Sequence, residues 1–266
     1  MRRRRIASDI ARVYVLVMAH KFTSVGFVLE RLQECEHFLG RMAEASYNEF
    51  NFELNAFLSA SRSVTFVLQR SLAHAPGFEA WYASQREQMK GDAAMTFFLE
   101  LRNVSQKQGP VSYVAGGTLN GRTTYRFISA QSRVPVDLEG RDIGECCAAH
   151  LKKLAALVLT YYRKFPFNAC IAQALTPKGM ASLRFTLRDV EALLGLPQGY
   201  IEIGGDKFSV AEVLHVLRRE VDAIDVADLE RLAAGGFEVN GKPIVFPRGD
   251  GRDFTDDVAQ IGRAHV

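Results

Sequence analysis

Apolar side chains recur at three- and four-residue spacing over most of residues 25–165, and no other feature constrains this chain as strongly. Such a period commits the segment to amphipathic helices, each of which must bury one face against the others. Residues 25–45 place Val28, Leu29, Leu32, Cys35, Phe38, Leu39 and Met42 between charged Glu30, Arg31, Glu34 and Arg41. Beyond Tyr47 a second stripe runs through Leu54, Phe57, Leu58, Ser61, Val64, Thr65 and Leu68, beside small Ser59 and Ala60 that let another helix approach. It ends at His74-Ala75-Pro76-Gly77. The spacing predicts one third helix from 78 to about 107, stopped by Gly109-Pro110. A fourth is predicted from Asp142, a capping residue, to Phe165-Pro166, with Ile143, Cys147, His150, Leu151, Leu154, Val158, Tyr161 and Tyr162 on one face.

Between the third and fourth helices lie two strand-like runs, 111–115 and 123–128, joined through Asn120-Gly121, a pair suited to the positive dihedrals of a tight hairpin. After Thr176-Pro177 the pattern shortens: 187–194 and 209–221 read as helices, the latter opened by Ser209 with Glu212 in a capping box. A second hairpin is expected around Asn240-Gly241. The expected fold is therefore mainly α, a helical bundle over 25–175 with a hairpin insertion near 111–128 and a small α+β appendage over 176–260. Residues 1–24 read as a fraying N-terminal segment, with Arg2-Arg3-Arg4-Arg5 as solvated tail. The last six residues, 261–266, match the translation of a common sequencing adapter and read as a non-native tail.

The 33 basic and 30 acidic residues leave a net charge of only +3, so a basic binding surface has to be local. The apolar run at 13–18 is too short for a leader or a membrane span. Four cysteines without a spaced framework (Cys35, Cys146, Cys147 and Cys170) fit a reducing cytoplasm, and no membrane partner is expected. Phosphate-binding Gly-rich loops, paired-His zinc helices, nucleophile elbows and Cys-x-x-Cys pairs are absent from the sequence, and no cofactor is implied. Cys146, Cys147, His150 and Cys170 are the one metal-like set; small buried thiols and a hydrogen-bonded core histidine describe it better, so no metal is expected.

The stretch 97–107, Phe-Phe-Leu-Glu-Leu-Arg-Asn-Val-Ser-Gln-Lys, places an arginine, a polar neighbour and a proton-transfer residue five positions on near the end of a bundle helix. With the run Phe50-x-Phe52-x-x-x-Ala56-Phe57-Leu58-x-Ala60-x-Arg62-Ser63 and the Trp81-Tyr82 pair, it resembles the HEPN family of helical domains over residues 25–165. That resemblance implies an RNA- or nucleotide-linked role, with bacterial defence as a setting, and a homodimer formed through the bundle. Catalytic members end the motif in His and cleave RNA without metal; here Lys107 stands in that place after Arg102 and Asn103. Lysine, with a reference pKa of about 10.4, holds a phosphate but is a poor general base.

Three readings stay open at the sequence level. Arg102, Asn103 and Lys107 bind an RNA or nucleotide phosphate without efficient nuclease activity; or the chain is a protein-interaction or structural module; or it is a metal-independent ribonuclease whose Lys107 is buried. Arg62, at the edge of an apolar stripe, is a secondary phosphate candidate, with Glu100 as its expected structural partner.

Overall fold

A computed structural model describes residues 22–119, 122–201, 208–221 and 223–246. Five long helices form the frame: α1 (Gly26–Glu44), α2 (Tyr47–Leu72), α3 (Phe78–Gly91) and α4 (Ala93–Lys107), then, after strands β1 (Tyr113–Leu119) and β2 (Arg122–Phe127), α5 (Ile143–Lys164). The chain is mainly helical with a two-stranded antiparallel hairpin, as its periodicity predicts. Val28, Leu32, Leu39, Leu54, Leu58, Leu68, Leu151 and Val158 are wholly buried in one core. Each such side chain contributes about 1.5–3 kcal/mol relative to exposure.

The predicted third helix is two helices. The Asp92 carboxylate accepts the Met95 N–H at 3.0 Å and caps α4, while its other oxygen meets Lys153 Nζ of α5 at 2.5 Å. Gly91 and a capping Asp are ordinary punctuation at a helix boundary, and the continuous apolar period across them hid the break. The break turns α4 back along α2 so that the two run antiparallel, Gln106 reaching Ser59 while Met95 and Thr96 share a cavity lining with Thr65 and Gln69.

In the hairpin, Tyr113 pairs with Phe127 and Leu119 with Arg122, with an irregularity between Ala115 and Thr118; the Asn120-Gly121 turn lies outside the described residues. Tyr125 stacks on Phe50 of α2 at 3.8 Å, and Phe127 meets Phe97 of α4 edge-on at 5.2 Å. Asp142 caps α5 as expected, accepting from Gly144 N at 2.8 Å, and its second oxygen accepts from Tyr125 N of β2 at 3.0 Å. One buried carboxylate thus starts α5 and fixes the hairpin.

Beyond α5 come four short helices, α6 (Pro166–Ala169), α7 (Ile171–Ala174), α8 (Pro177–Leu183) and α9 (Leu187–Leu194). They are followed by α10 (Val210–Leu217), α11 (Val226–Ala234) and the strands β3 (Glu238–Val239) and β4 (Lys242–Pro243). The Ser209–Glu212 capping box forms, and Asn240 and Gly241 both adopt positive φ (52° and 73°) in the second hairpin. A second cluster, including Ile171, Leu175, Met180, Val190, Leu193 and Leu214, unites α7–α10.

The last elements do not stay with that cluster. Leu229 and Leu232 of α11 and Phe237 enter the bundle core, against α1 and α5. Here Gly40 and Gly144 find their use: a Cβ at Gly40 would lie 2.1 Å from Val239 Cγ2, and one at Gly144 2.0 Å from Phe246. Each glycine costs its helix about 1 kcal/mol relative to alanine, offset by the close seat it gives the C-terminal segment. Among the described residues no helix is long and apolar enough to cross a membrane.

Candidate functional site

Arg62 lies in the third quarter of α2 and Arg102 in the second half of α4, so the antiparallel packing of these helices brings the two guanidinium groups into each other's field. Burial pulls the Arg62 guanidinium below the usual arginine range; Tyr82 opposes that and the neighbouring Arg102 charge adds to it. Neither arginine has a carboxylate partner among the described residues. Arg62 donates to Thr65 Oγ1 at 2.9 Å and lies over the Phe66 ring at 4.3 Å. Arg102 has a long 3.4 Å contact with Asn103 Oδ1, and its Nε is buried with no acceptor. Glu100, expected beside Arg62, instead accepts the Ser132 hydroxyl, because the residues after the hairpin fold over that side of α4.

Lys107 falls elsewhere. Helix α4 is regular through Lys107, and at about 100° per residue a five-residue step turns the side chain by about 140° from Arg102. Lys107 is exposed, whereas the ribonuclease reading asks for a buried lysine. Tertiary structure therefore groups Arg102 and Asn103 with Arg62, and leaves Lys107 on another face.

Beside Arg62 opens a cavity of about 310 Å³ between α2, α3, α4 and α5. Its walls are apolar, with Leu58, Met89, Met95, Phe98 and Leu154. Its rim is cationic: Arg62, Arg86 and Lys90, with no Asp or Glu in the lining, although Lys90 also meets Glu87 at 2.8 Å. Tyr82 lines it too, stacked on Phe78 at 5.4 Å, and burial raises the Tyr82 hydroxyl above the usual phenol range.

His150 of α5 also lines the cavity, stacked face to face on Phe98 at 4.2 Å and 9°. Desolvation, aided by Lys153, pushes its pKa down to about 3, so the ring is neutral at physiological pH. Its Nδ1 is buried and has no hydrogen-bond partner, contrary to the expectation of a hydrogen-bonded core histidine. An unpaired buried polar atom costs about 1–3 kcal/mol, which sets this ring apart from ordinary core.

The cysteines Cys35, Cys146, Cys147 and Cys170 are free and buried, and burial pushes the Cys146 thiol up to about 12. Among the described residues no three His, Cys, Asp or Glu side chains converge as metal ligands. The cavity residues outside the motif carried a readable signal: Tyr82, Arg86 and Lys90 recur every fourth position on α3, and Arg62, Thr65 and Gln69 at three and four on α2. What the sequence did not supply was that these two stripes face each other.

A family profile described as bacteriophage lambda protein ea47 matches residues 24–116, the segment holding α1 to α4 and both arginines. Protein ea47 of Escherichia phage lambda is 32% identical over 82 residues, which cover 30% of this chain and 20% of that protein. The match spans about a fifth of the length of that relative. No solved structure matches.

Proposed function

We propose that this protein binds the phosphate of an RNA or a nucleotide, with Arg62 and Arg102 as the clamp and Asn103 steadying Arg102. The observation that carries the reading is the pair of arginines held together by helix packing without a carboxylate, one of them with a buried donor that has no acceptor. Two like charges in a half-buried setting repel, and an anion bound beside their exposed amino groups removes the repulsion. A guanidinium keeps its charge at any physiological pH, so the site is permanently cationic. Lys107 serves a second, more distant phosphate of a longer strand.

The resemblance to HEPN domains agrees with this chemistry and adds the expectation of an RNA-linked or defence role in a homodimer. The likeness to a phage protein, in the segment that holds both arginines, fits a phage or bacterial setting. Without a histidine at position 107, binding rather than cleavage is the expected activity.

The test is to incubate the purified protein with labelled single-stranded RNA, without metal, beside Arg102→Ala and Arg62→Ala. Retention of intact RNA by the wild type and its loss in both variants is the expected result. Cleavage that Arg102→Ala abolishes would make the protein a ribonuclease. Equal retention, or none, by all three would leave an interaction module.

A further inference from the structure

We infer that the cavity beside Arg62 is a binding site for a small organic monoanion with a compact apolar body, of the kind a short-chain carboxylate provides. The body enters first and the charge stays at the mouth. This goes beyond the phosphate reading and shares only Arg62 with it, since Arg102 does not line the cavity.

The lining changes character with depth. Leu58, Phe98 and Leu154 are buried and form the floor, whereas Arg86, Lys90 and Leu99 are exposed at the mouth and Arg62 is half-buried. The polar side chains of α2 in the wall are answered from within the chain: Ser61 donates to the Leu58 carbonyl, Thr65 to the Arg62 carbonyl and Gln69 to the Thr65 carbonyl. His150, stacked on Phe98, is uncharged at neutral pH, so no cation sits at the deep end. Polar atoms carried into such a floor would lose water without gaining partners, and the part of a ligand that fills it is therefore apolar.

The mouth has the opposite demand. Lys90 is held by Glu87 at 2.8 Å, but Arg62 and Arg86 form no ion pair among the described residues, and no Asp or Glu lines the cavity. Two guanidinium charges without a carboxylate disfavour a cationic ligand and favour a negative one. A neutral hydrocarbon leaves both arginines unanswered, and inorganic phosphate leaves the apolar walls uncovered. A ligand with both parts meets both demands. The volume of about 310 Å³ lies at the small end of ligand pockets, too small for the paired chains of a membrane lipid.

The experiment is a calorimetric titration of the purified full chain with butanoate, hexanoate and octanoate. Hexanol and hexylamine serve as neutral and cationic counterparts, beside inorganic phosphate, adenosine monophosphate and phosphatidylglycerol vesicles. Affinity rises about three- to fourfold with each added CH₂, the share of one buried methylene. Hexanoate binds about tenfold or more tighter than hexanol or hexylamine, and Arg86→Ala, at an exposed position, removes about that advantage while leaving hexanol unchanged. Met95→Phe narrows the cavity from α4 and abolishes the gain of octanoate over hexanoate, with RNA retention unchanged. Met89→Phe does the same from α3 and covers the case in which the first variant does not fold.

No binding of octanoate, equal affinity along the series, equal binding of hexanol and hexanoate, or indifference to Arg86→Ala and to both methionine variants overturns the site. So does adenosine monophosphate binding tighter than octanoate, or binding of vesicles but of no free acid. The phosphate reading fails by a different result, equal retention of RNA by the wild type and Arg102→Ala.

Discussion

Two arginine sites in this molecule differ in one respect, the presence of acids. Arg231 of α11 forms a two-pronged ion pair with buried Glu36 of α1, at 2.6 and 2.8 Å, and a further contact with Asp228 at 2.6 Å. The hydrogen bond to Glu36 is the first cause of its pKa rising above the usual arginine range. Glu36 also accepts the Glu238 N–H at 2.8 Å, so the cluster ties α1, α11 and β3 together. Arg62 and Arg102 are placed by α2 and α4 within each other's field, and neither has a carboxylate partner among the described residues. The same side chain serves as a structural tie where its charge is answered from within the chain, and as a binding group where the answer is left to a ligand.

Removing the tie should have the largest effect. Arg231→Ala leaves Glu36, with a side chain 9% exposed, as a carboxylate without its cation, and should cost about 3 kcal/mol in chemical denaturation. Phosphate or RNA affinity should be unchanged in the folded variant. A variant as stable as the wild type would mean that the two arginine sites do not differ as described.

His150 is the third kind of basic group, kept neutral. Its folded pKa of about 3 lies below its ordinary value of 6.5, so the unfolded chain binds the extra proton and stability is lost as pH falls from about 6.5 toward 3. Lys153 lowers this pKa further and Asp92 opposes, but burial leads. Between pH 8 and pH 5 the loss should be about 2 kcal/mol, before most carboxylates titrate. His150→Phe should flatten that part of the stability curve, and an unchanged slope would mean that the ring is not buried neutral.

Arg102→Ala should do the opposite of Arg231→Ala. It relieves a like-charge repulsion and removes a buried donor without an acceptor, so stability should change by no more than about 0.5 kcal/mol or rise. Ligand affinity should fall, and the salt dependence of single-stranded RNA binding should become shallower by about 0.7 for each phosphate that the variant no longer neutralises. A destabilisation like that of Arg231→Ala would make Arg102 a structural residue. Lys107→Ala should have the smallest effect, none on a mononucleotide and a slight weakening with long RNA that disappears at high salt.

Much of the helical frame was legible because apolar period and capping chemistry are local. Asp142, Ser209–Glu212 and Asn240-Gly241 act within a few residues of themselves, and each takes its expected place. The break at Asp92 was equally local in its signal, but an unbroken apolar stripe outweighed it. Helix α11 was missed although its signals were local too, with Asp225 capping its start, Val226, Leu229 and Leu232 at three-residue spacing and Gly235 at positive φ closing it; only its burial depends on partners far away in the chain. At the site, Arg102 stood out through its motif and Arg62 through its place on an apolar stripe. Their proximity, and the separation of Lys107 from both, did not follow from spacing along the chain.

By itself the sequence determined that this chain forms a helical bundle with hairpins, because side-chain period, caps and turns are set by neighbours within a turn or two. Only the tertiary structure decided which charges meet. The turn at Asp92 and the antiparallel packing of α4 on α2 set Arg102 beside Arg62 and Glu100 beside Ser132. The fold-back of α11 gave Arg231 its acids, 195 residues from Glu36. Electrostatic pairing depends on distance in space, and distance in space is fixed by packing rather than by position in the chain.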